Sequence, residues 1–264
     1  MITDTRAIVL RQVRTINSRR VISLFTEEFG KIAAGVTVSE RGKGKASLAL
    51  RPFAYGNYEL FKSRDFFNLN KGQVIKSFYG LGQDVDRYMA AARGMELLDK
   101  VLPEWQPSKR LFDMTVDFLT IMEERKNRFD TVLRGFEAKV LMEAGFFPDL
   151  TGCVSCGKQG EAAYLSVPDG GILCGECGEK ALLEARTAEA MQGLKPLIFK
   201  VDSAIIDVLV FYVDHPLTKL AKLALTEDME VRVGEIMDGL LAYHLDLERR
   251  ASDLSFSVPR KKEE

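Results

Sequence analysis

The residues best suited to build a chemical site are the four cysteines, arranged as two Cys-x-x-Cys pairs, Cys153 with Cys156 and Cys174 with Cys177, with 17 residues between the pairs. A two-residue gap lets both thiolates of one turn converge on a single ion, and two such turns complete the tetrahedron that zinc prefers. Gly157 and Gly178 relax the backbone beside each turn. Between the pairs, Tyr164 to Val167 and the turn Pro168-Asp169-Gly170-Gly171 predict a hairpin joining them. A pair of disulfides would need an oxidising compartment, and a single redox motif would not be doubled. A closed four-thiolate site has no open coordination position, so the expectation is one structural Zn2+ that contributes folding free energy and no catalysis.

Other chemistries lack their residues. The nearest approach to a P-loop, Gly30 to Gly35, is followed by Val36 where lysine is required. Gly42-Lys43-Gly44 has Ser47 in place of the third glycine of a dinucleotide fingerprint, and there is no Gly-x-Ser-x-Gly elbow. His215 and His244 stand alone, as expected of capping or packing residues, and Asp84-x-Asp86 falls where a helix takes a cap and a dipole partner. No catalytic residue is assigned, and the chain reads as a non-enzyme.

The elements that must carry these residues fall into two kinds. Up to about Phe78 the apolar residues come in short runs, Ala7 to Leu10, Val21 to Phe25 and Lys31 to Val38, which read as strands. Glu28-Phe29-Gly30 turns the chain between the second and third, and Arg41-Gly42-Lys43-Gly44-Lys45 is a flexible basic loop. Leu48 to Phe53, Tyr55 to Phe61 and Gln73 to Phe78 predict further extended segments, a complement that suits a small closed barrel of the OB type. After Gly80 the period becomes helical. Val85 to Leu102 forms an amphipathic stripe stopped by Pro103, and Ser108 caps a second helix through Met122. A third runs from about Arg128 to Ala144 and ends on Gly145 and Pro148. Beyond Cys177 helices are expected over 181–194, 203–212, 217–225 and 227–247.

The expected fold class is therefore α+β multidomain: an N-terminal OB-fold β-barrel over 1–80, then an α-helical domain over 81–264 with a four-Cys zinc module inserted at about 150–180. Charge divides along the same line. Residues 1–80 hold 14 Lys and Arg against 6 Asp and Glu, and the remainder holds 23 against 32. A basic barrel suggests a polyanionic partner, with nucleic acid the default, because clustered cations release counterions from a phosphate backbone. No apolar run approaches the roughly 18 residues of a membrane span, and the N-terminus lacks a signal-peptide pattern, so a cytoplasmic protein with no membrane partner is expected.

The assembled blocks resemble RecO, the bacterial mediator of recombinational repair, over nearly the whole chain. Ala7-Ile8-Val9-Leu10-Arg11 with Ile22 to Ile32 is similar to the opening strands, and Leu50-Arg51-Pro52-Phe53 to the segment after the basic loop. Phe136 to Leu141 and Ala144-Gly145-Phe146-Phe147-Pro148-Asp149-Leu150 lead straight into Cys153-x-x-Cys156-Gly157, and Leu240 to Leu245 resembles the last helix. The resemblance implies a nucleoid-associated, non-catalytic protein for DNA repair and homologous recombination. It would bind single- and double-stranded DNA, anneal complementary strands, engage single-strand-binding protein and act with RecR to load RecA.

The residues themselves agree with the DNA part. Arg19, Arg20, Lys31, Arg41, Lys43, Lys45 and Arg51 are the candidate phosphate contacts, with Tyr55 and Tyr58 the candidate stacking rings. A groove for the tail of single-strand-binding protein would need cations around apolar rings, which Arg125, Lys126, Arg128, Arg134 and Lys139 offer beside Phe129 and Phe136. Two rival functions share the composition: a zinc-ribbon nucleic-acid-processing enzyme, which needs converging carboxylates or a histidine base, and a protein scaffold, which would show no salt-dependent oligonucleotide binding.

Overall fold

A computed structural model of the chain describes residues 2–14, 20–36, 48–63, 66–192 and 197–247. They form two compact units, Met1–Phe129 and Asp130–Glu264.

The first unit is built on a closed barrel of five strands in the order β1-β2-β3-β5-β4. The strands are β1 (Ile2–Arg14), β2 (Arg20–Thr26), β3 (Gly30–Val36), β4 (Tyr55–Ser63) and β5 (Phe66–Lys76). β1 is long enough to pair antiparallel with β4 through residues 2–8 and with β2 through residues 7–14, bending at a bulge between Val9 and Arg11. Closure comes from a parallel pairing of β3 with β5, limited to Ala34–Val36 against Phe67–Leu69. Alternation sends Ala7, Val9, Ile22, Leu24, Ile32, Ala34, Tyr58, Leu60, Phe67 and Leu69 into one buried core.

The predicted strand over Leu48 to Phe53 is instead a turn. Its apolar residues signal burial and not extension: Ala49, Leu50 and Ala54 join the barrel core, and Phe53 takes a left-handed φ of 72°. The fifth strand starts earlier than its predicted Gln73, because the polar Asn68, Asn70 and Lys71 lie on outward or irregular positions of one continuous strand.

Two helices complete this unit, α1 (Val85–Val101) and α2 (Lys109–Glu124). Their caps are those expected: the Asp84 carboxylate accepts from the Arg87 amide at 2.9 Å, and the Ser108 hydroxyl accepts from the Leu111 amide at 3.3 Å. The hairpin covers the outer side of β1 and β2. Phe112 meets Phe25 edge-on at 5.4 Å, while Asp99 accepts from Ser23 at 2.8 Å and from the Arg11 guanidinium. The link between the helices pads the seam where β3 and β5 part. Glu104 bridges Lys31, the Trp105 amide donates to the Lys31 carbonyl at 3.2 Å, and the Trp105 ring stacks on Phe67 at 5.2 Å.

The second unit contains α3 (Phe129–Glu143), which begins at the boundary, a three-stranded sheet β7-β6-β8 and helices α4 to α7. Strands β6 (Tyr164–Ser166) and β7 (Gly171–Leu173) form the predicted hairpin, and β8 (Ile198–Lys200) adds to the far edge of β6. Helices α4 (Gly175–Gln192), α5 (Ser203–Asp214), α6 (Leu217–Leu220) and α7 (Glu227–Leu245) follow. The expected helix over 217–225 shrinks to one turn. Gly145 ends the last turn after α3 at φ 76°, as its position predicts.

A charged network is buried among the helices. Arg134 on α3 donates to Glu137 at 2.8 Å and to both oxygens of Asp238 on α7 at 2.8 and 3.2 Å. Burial alone would lower the Arg134 pKa, but the charges of Glu137 and Asp238 outweigh it and the net shift is upward. The two histidines pack, as expected: His215 closes α5 against Phe211 at 4.2 Å, and His244 stacks on Phe146 at 5.0 Å.

Candidate metal centre and nucleic-acid interface

The metal centre is assembled from backbone upward. The Cys153 amide donates to the Lys158 carbonyl at 2.9 Å and the Gly157 amide to the Cys153 carbonyl at 2.8 Å, curling residues 153–158 into one tight turn that needs the left-handed φ of 76° at Gly157. The second turn is the start of α4, where the Gly178 amide donates to the Cys174 carbonyl at 2.9 Å. Here glycine serves a different end from the one expected. Its φ is not left-handed; a Cβ on Gly178 would lie 2.0 Å from the Tyr164 ring, so it lets the hairpin lie flat on the first turn of α4.

All four Sγ atoms come within 4.8 Å of one another, with Cys156 and Cys174 at 3.7 Å. A tetrahedral ion with bonds of about 2.3 Å separates its sulfurs by about 3.8 Å. The cysteines are free thiols and not disulfides. Electrostatics also call for a cation. Burial raises the Cys153 thiol, yet the amides of Cys174, Cys156 and Ser155 outweigh it and bring it down to about 6. Ser155 pulls the Cys177 thiol down, but the crowding sulfurs of Cys174 and Cys156 push it up to about 12. Four adjacent thiolates repel one another, and a dication removes that penalty. The donor set fits a closed metal site with no position left for substrate.

The expected DNA contacts are scattered by comparison. Arg19, Arg41, Lys43 and Lys45 lie outside the described residues. Arg20 is half-buried at the start of β2, and Arg51 is exposed in the turn after the loop. Lys31 is drawn into the helical hairpin, its ammonium donating to the Asp99 carbonyl at 2.5 Å. Tyr55 is half-buried, with its ring 6.0 Å from Phe112 and its hydroxyl accepting from Arg6 at 3.4 Å.

Tyr58 requires a correction. Its side chain points into the barrel at 0 % exposure, and its hydroxyl donates to the Ala49 carbonyl at 2.8 Å, so neither ring face can meet a base. Burial raises its pKa for the same reason. The proposed protein groove loses members in the same way, since Phe136 and Arg134 belong to the interior of the second unit. Sequence reading missed the two rings that the barrel does expose, Phe61 and Phe66. The alternation of Tyr55, Asn57, Glu59 and Phe61 carried the signal, but it becomes legible only once Gly56, Tyr58 and Leu60 are known to face inward.

Fold and site together define a mixed α+β protein: an OB-type barrel joined to a helical unit with a four-thiolate metal site. The model of the family Recombination protein O N terminal matches residues 1–78, and that of Recombination protein O C terminal matches residues 82–253. A DNA repair protein RecO of Alkaliphilus metalliredigens is 27 % identical over 93 % of this chain and 95 % of its own. Another from Caldanaerobacter subterraneus is 23 % identical over 96 % and 97 %, and one from Acetivibrio thermocellus is 30 % identical over 66 % and 70 %. The chain belongs to the RecO family, and its role lies in DNA repair and recombination. Among the described residues no helix is long and apolar enough to cross a membrane.

Proposed function

We propose that this protein is a non-catalytic mediator of DNA repair and homologous recombination. It binds single- and double-stranded DNA, anneals complementary strands, interacts with single-strand-binding protein and acts with RecR to load RecA in the cytoplasm, at the nucleoid. The observation that carries the reading is a closed OB-type barrel within a segment of 14 basic and 6 acidic residues, in a chain of this family. An excess of cations on a small barrel attracts a phosphate backbone and confers salt dependence. Residues 1–80 are the nucleic-acid-binding domain and 81–264 the helical domain, whose four cysteines hold one structural Zn2+. When bound, the ion ties the turn at Cys153 to the start of α4. Arg19, Arg20, Arg41, Lys43, Lys45 and Arg51 supply phosphate contacts, with Lys31 and Tyr55 at the margin.

The test is fluorescence anisotropy of a labelled oligonucleotide across a salt series, for the parent chain and for an Arg41→Ala, Lys43→Ala, Lys45→Ala variant. The reading expects a negative salt slope that becomes shallower by about 2–3 phosphates' worth in the variant. No binding at any salt concentration would leave a protein scaffold in its place.

A further inference from the structure

The strand registers lay out one outward row across the barrel that neither the tyrosines nor the basic loop accounts for. Val13 on β1 pairs with Val21 on β2, Val21 with Gly35 on β3, Gly35 with Asn68 on β5, Asn68 with Phe61 on β4, and Phe61 with Ile2 at the start of β1. Residues paired across a sheet point to the same side, so this row is a surface. It is apolar and open: Phe61 is 46 % exposed and Ile2 59 %. The helical hairpin covers a different part of the barrel, around Ser23 and Phe25.

A second ring is seated on this row. Phe66 lies over Gly35, where an added Cβ would be 3.0 Å from Phe66 Cε1 and 3.1 Å from Asn68 Oδ1. The missing side chain lets one face of the ring rest on the sheet while the residue stays 44 % exposed. Asn68 stands between the two rings in the row, with a carboxamide that can both donate and accept. Lys71, exposed on β5 and paired with Glu59 of β4, stands on this side of the sheet. Lys62 and Arg20 lie on the opposite parity, paired with Phe67 and Val36, with Lys62 held over the Trp105 ring at 4.8 Å. Flat, exposed aromatic rings with an amide between them match unpaired bases. Duplex DNA offers the same bases, but their faces are already stacked and their pairing edges are occupied.

We propose that Phe61 and Phe66 form a base-stacking platform, with Asn68 reading base edges between them, and that this platform gives the protein a preference for single-stranded over double-stranded DNA. The inference rests on the DNA-binding reading above and assigns to it the rings that select the strand.

The test compares Phe61→Ala, Phe66→Ala and the double variant with the parent full-length chain. Three labelled probes of equal length serve: a mixed-sequence single strand, the same strand with abasic sites throughout, and a duplex. Each ring removed is expected to weaken single-strand binding by about 5- to 150-fold, the range for one stacked base. Duplex and abasic binding should hold within about two-fold and the salt slope should not change, because no charge is touched. Phe66→Tyr should restore the affinity. Equal losses on all three probes, or no loss on the single strand, would overturn the platform while leaving DNA binding in place. Failure of the parent chain to bind any probe would overturn the DNA-binding reading itself and the platform with it. A thermal melt followed through the single tryptophan, Trp105, checks that the variants keep the barrel.

Discussion

Single residues in this protein are distinguished by what surrounds their polar atoms. Tyr58 and Tyr55 are two of the four residues nearest the start of β4, and both read from the sequence as exposed rings. One is sealed in the barrel with its hydroxyl on a backbone carbonyl, and the other is half covered by Phe112. No composition rule separates them; only the parity of the strand does. Arg134 makes the same point among cations, since it reads as a surface charge and is the centre of a buried network with Glu137 and Asp238. Arg134→Ala leaves the buried Glu137 and the partly buried Asp238 without this cation, and urea denaturation is expected to show a loss of about 3–5 kcal/mol. Arg134→Lys should recover only part of this, since an ammonium cannot reproduce the fork that spans both oxygens of Asp238. His244 gives a residue-level dependence on pH. Burial lowers its pKa below the ordinary 6.5, so the native unit binds fewer protons than the unfolded chain. The stability that depends on the neutral ring is complete above that value and declines as the pH falls below it. His244→Phe keeps an aromatic partner for Phe146, and its thermal midpoint should vary less than the parent's between about pH 7 and about pH 5.

At the scale of elements, periodicity and caps carried furthest. The helices at Val85 and Lys109 begin at the Asp84 and Ser108 caps that the sequence marks, and the hairpin between the cysteine pairs lies where its Gly170-Gly171 turn puts it. Two elements were not legible, for physical reasons. Leu48 to Phe53 is apolar because it plugs the barrel, and a plug has no period. β8 has three residues and forms on the edge of a hairpin 32 residues upstream of it, counting from Ser166 to Ile198, so its signal is long-range. The metal site depends on an element contact that the cysteine spacing does not display: Tyr164 of β6 lies directly against Gly178 of α4. Gly178→Ala introduces a methyl group 2.0 Å from that ring and must lift the hairpin from the helix. All four thiolates remain, yet Zn2+ affinity should fall by about 10- to 100-fold, the usual effect of losing the shell that orients ligands. Competition with a chromophoric chelator measures it, and unchanged affinity would show that the two turns find each other without the Tyr164 contact.

At the scale of the whole molecule, charge and metal are segregated. The basic excess and the exposed phenylalanines Phe61 and Phe66 lie in residues 1–80, whereas the thiolates lie between Cys153 and Cys177, in a stretch where sequence offers one lysine and no arginine. The unit boundary at Phe129 also places the helical pair α1 and α2 with the barrel, through the bonds of Asp99 and the ring of Trp105. A closed tetrathiolate site acts through folding free energy and makes no contact with a ligand of its own. Chelation of the metal at neutral pH should therefore cost the second unit helical circular dichroism and expose it to protease. Oligonucleotide binding by the same sample should keep its parent salt slope, because the number of phosphates neutralised is set by the cations of the barrel. Trp105 reports on the barrel during that experiment, since its ring stacks on Phe67 of the core and opening of the seam between β3 and β5 would shift its emission. A salt slope that falls in step with metal loss would place cations of the second unit on the DNA and require the interface to extend beyond the barrel.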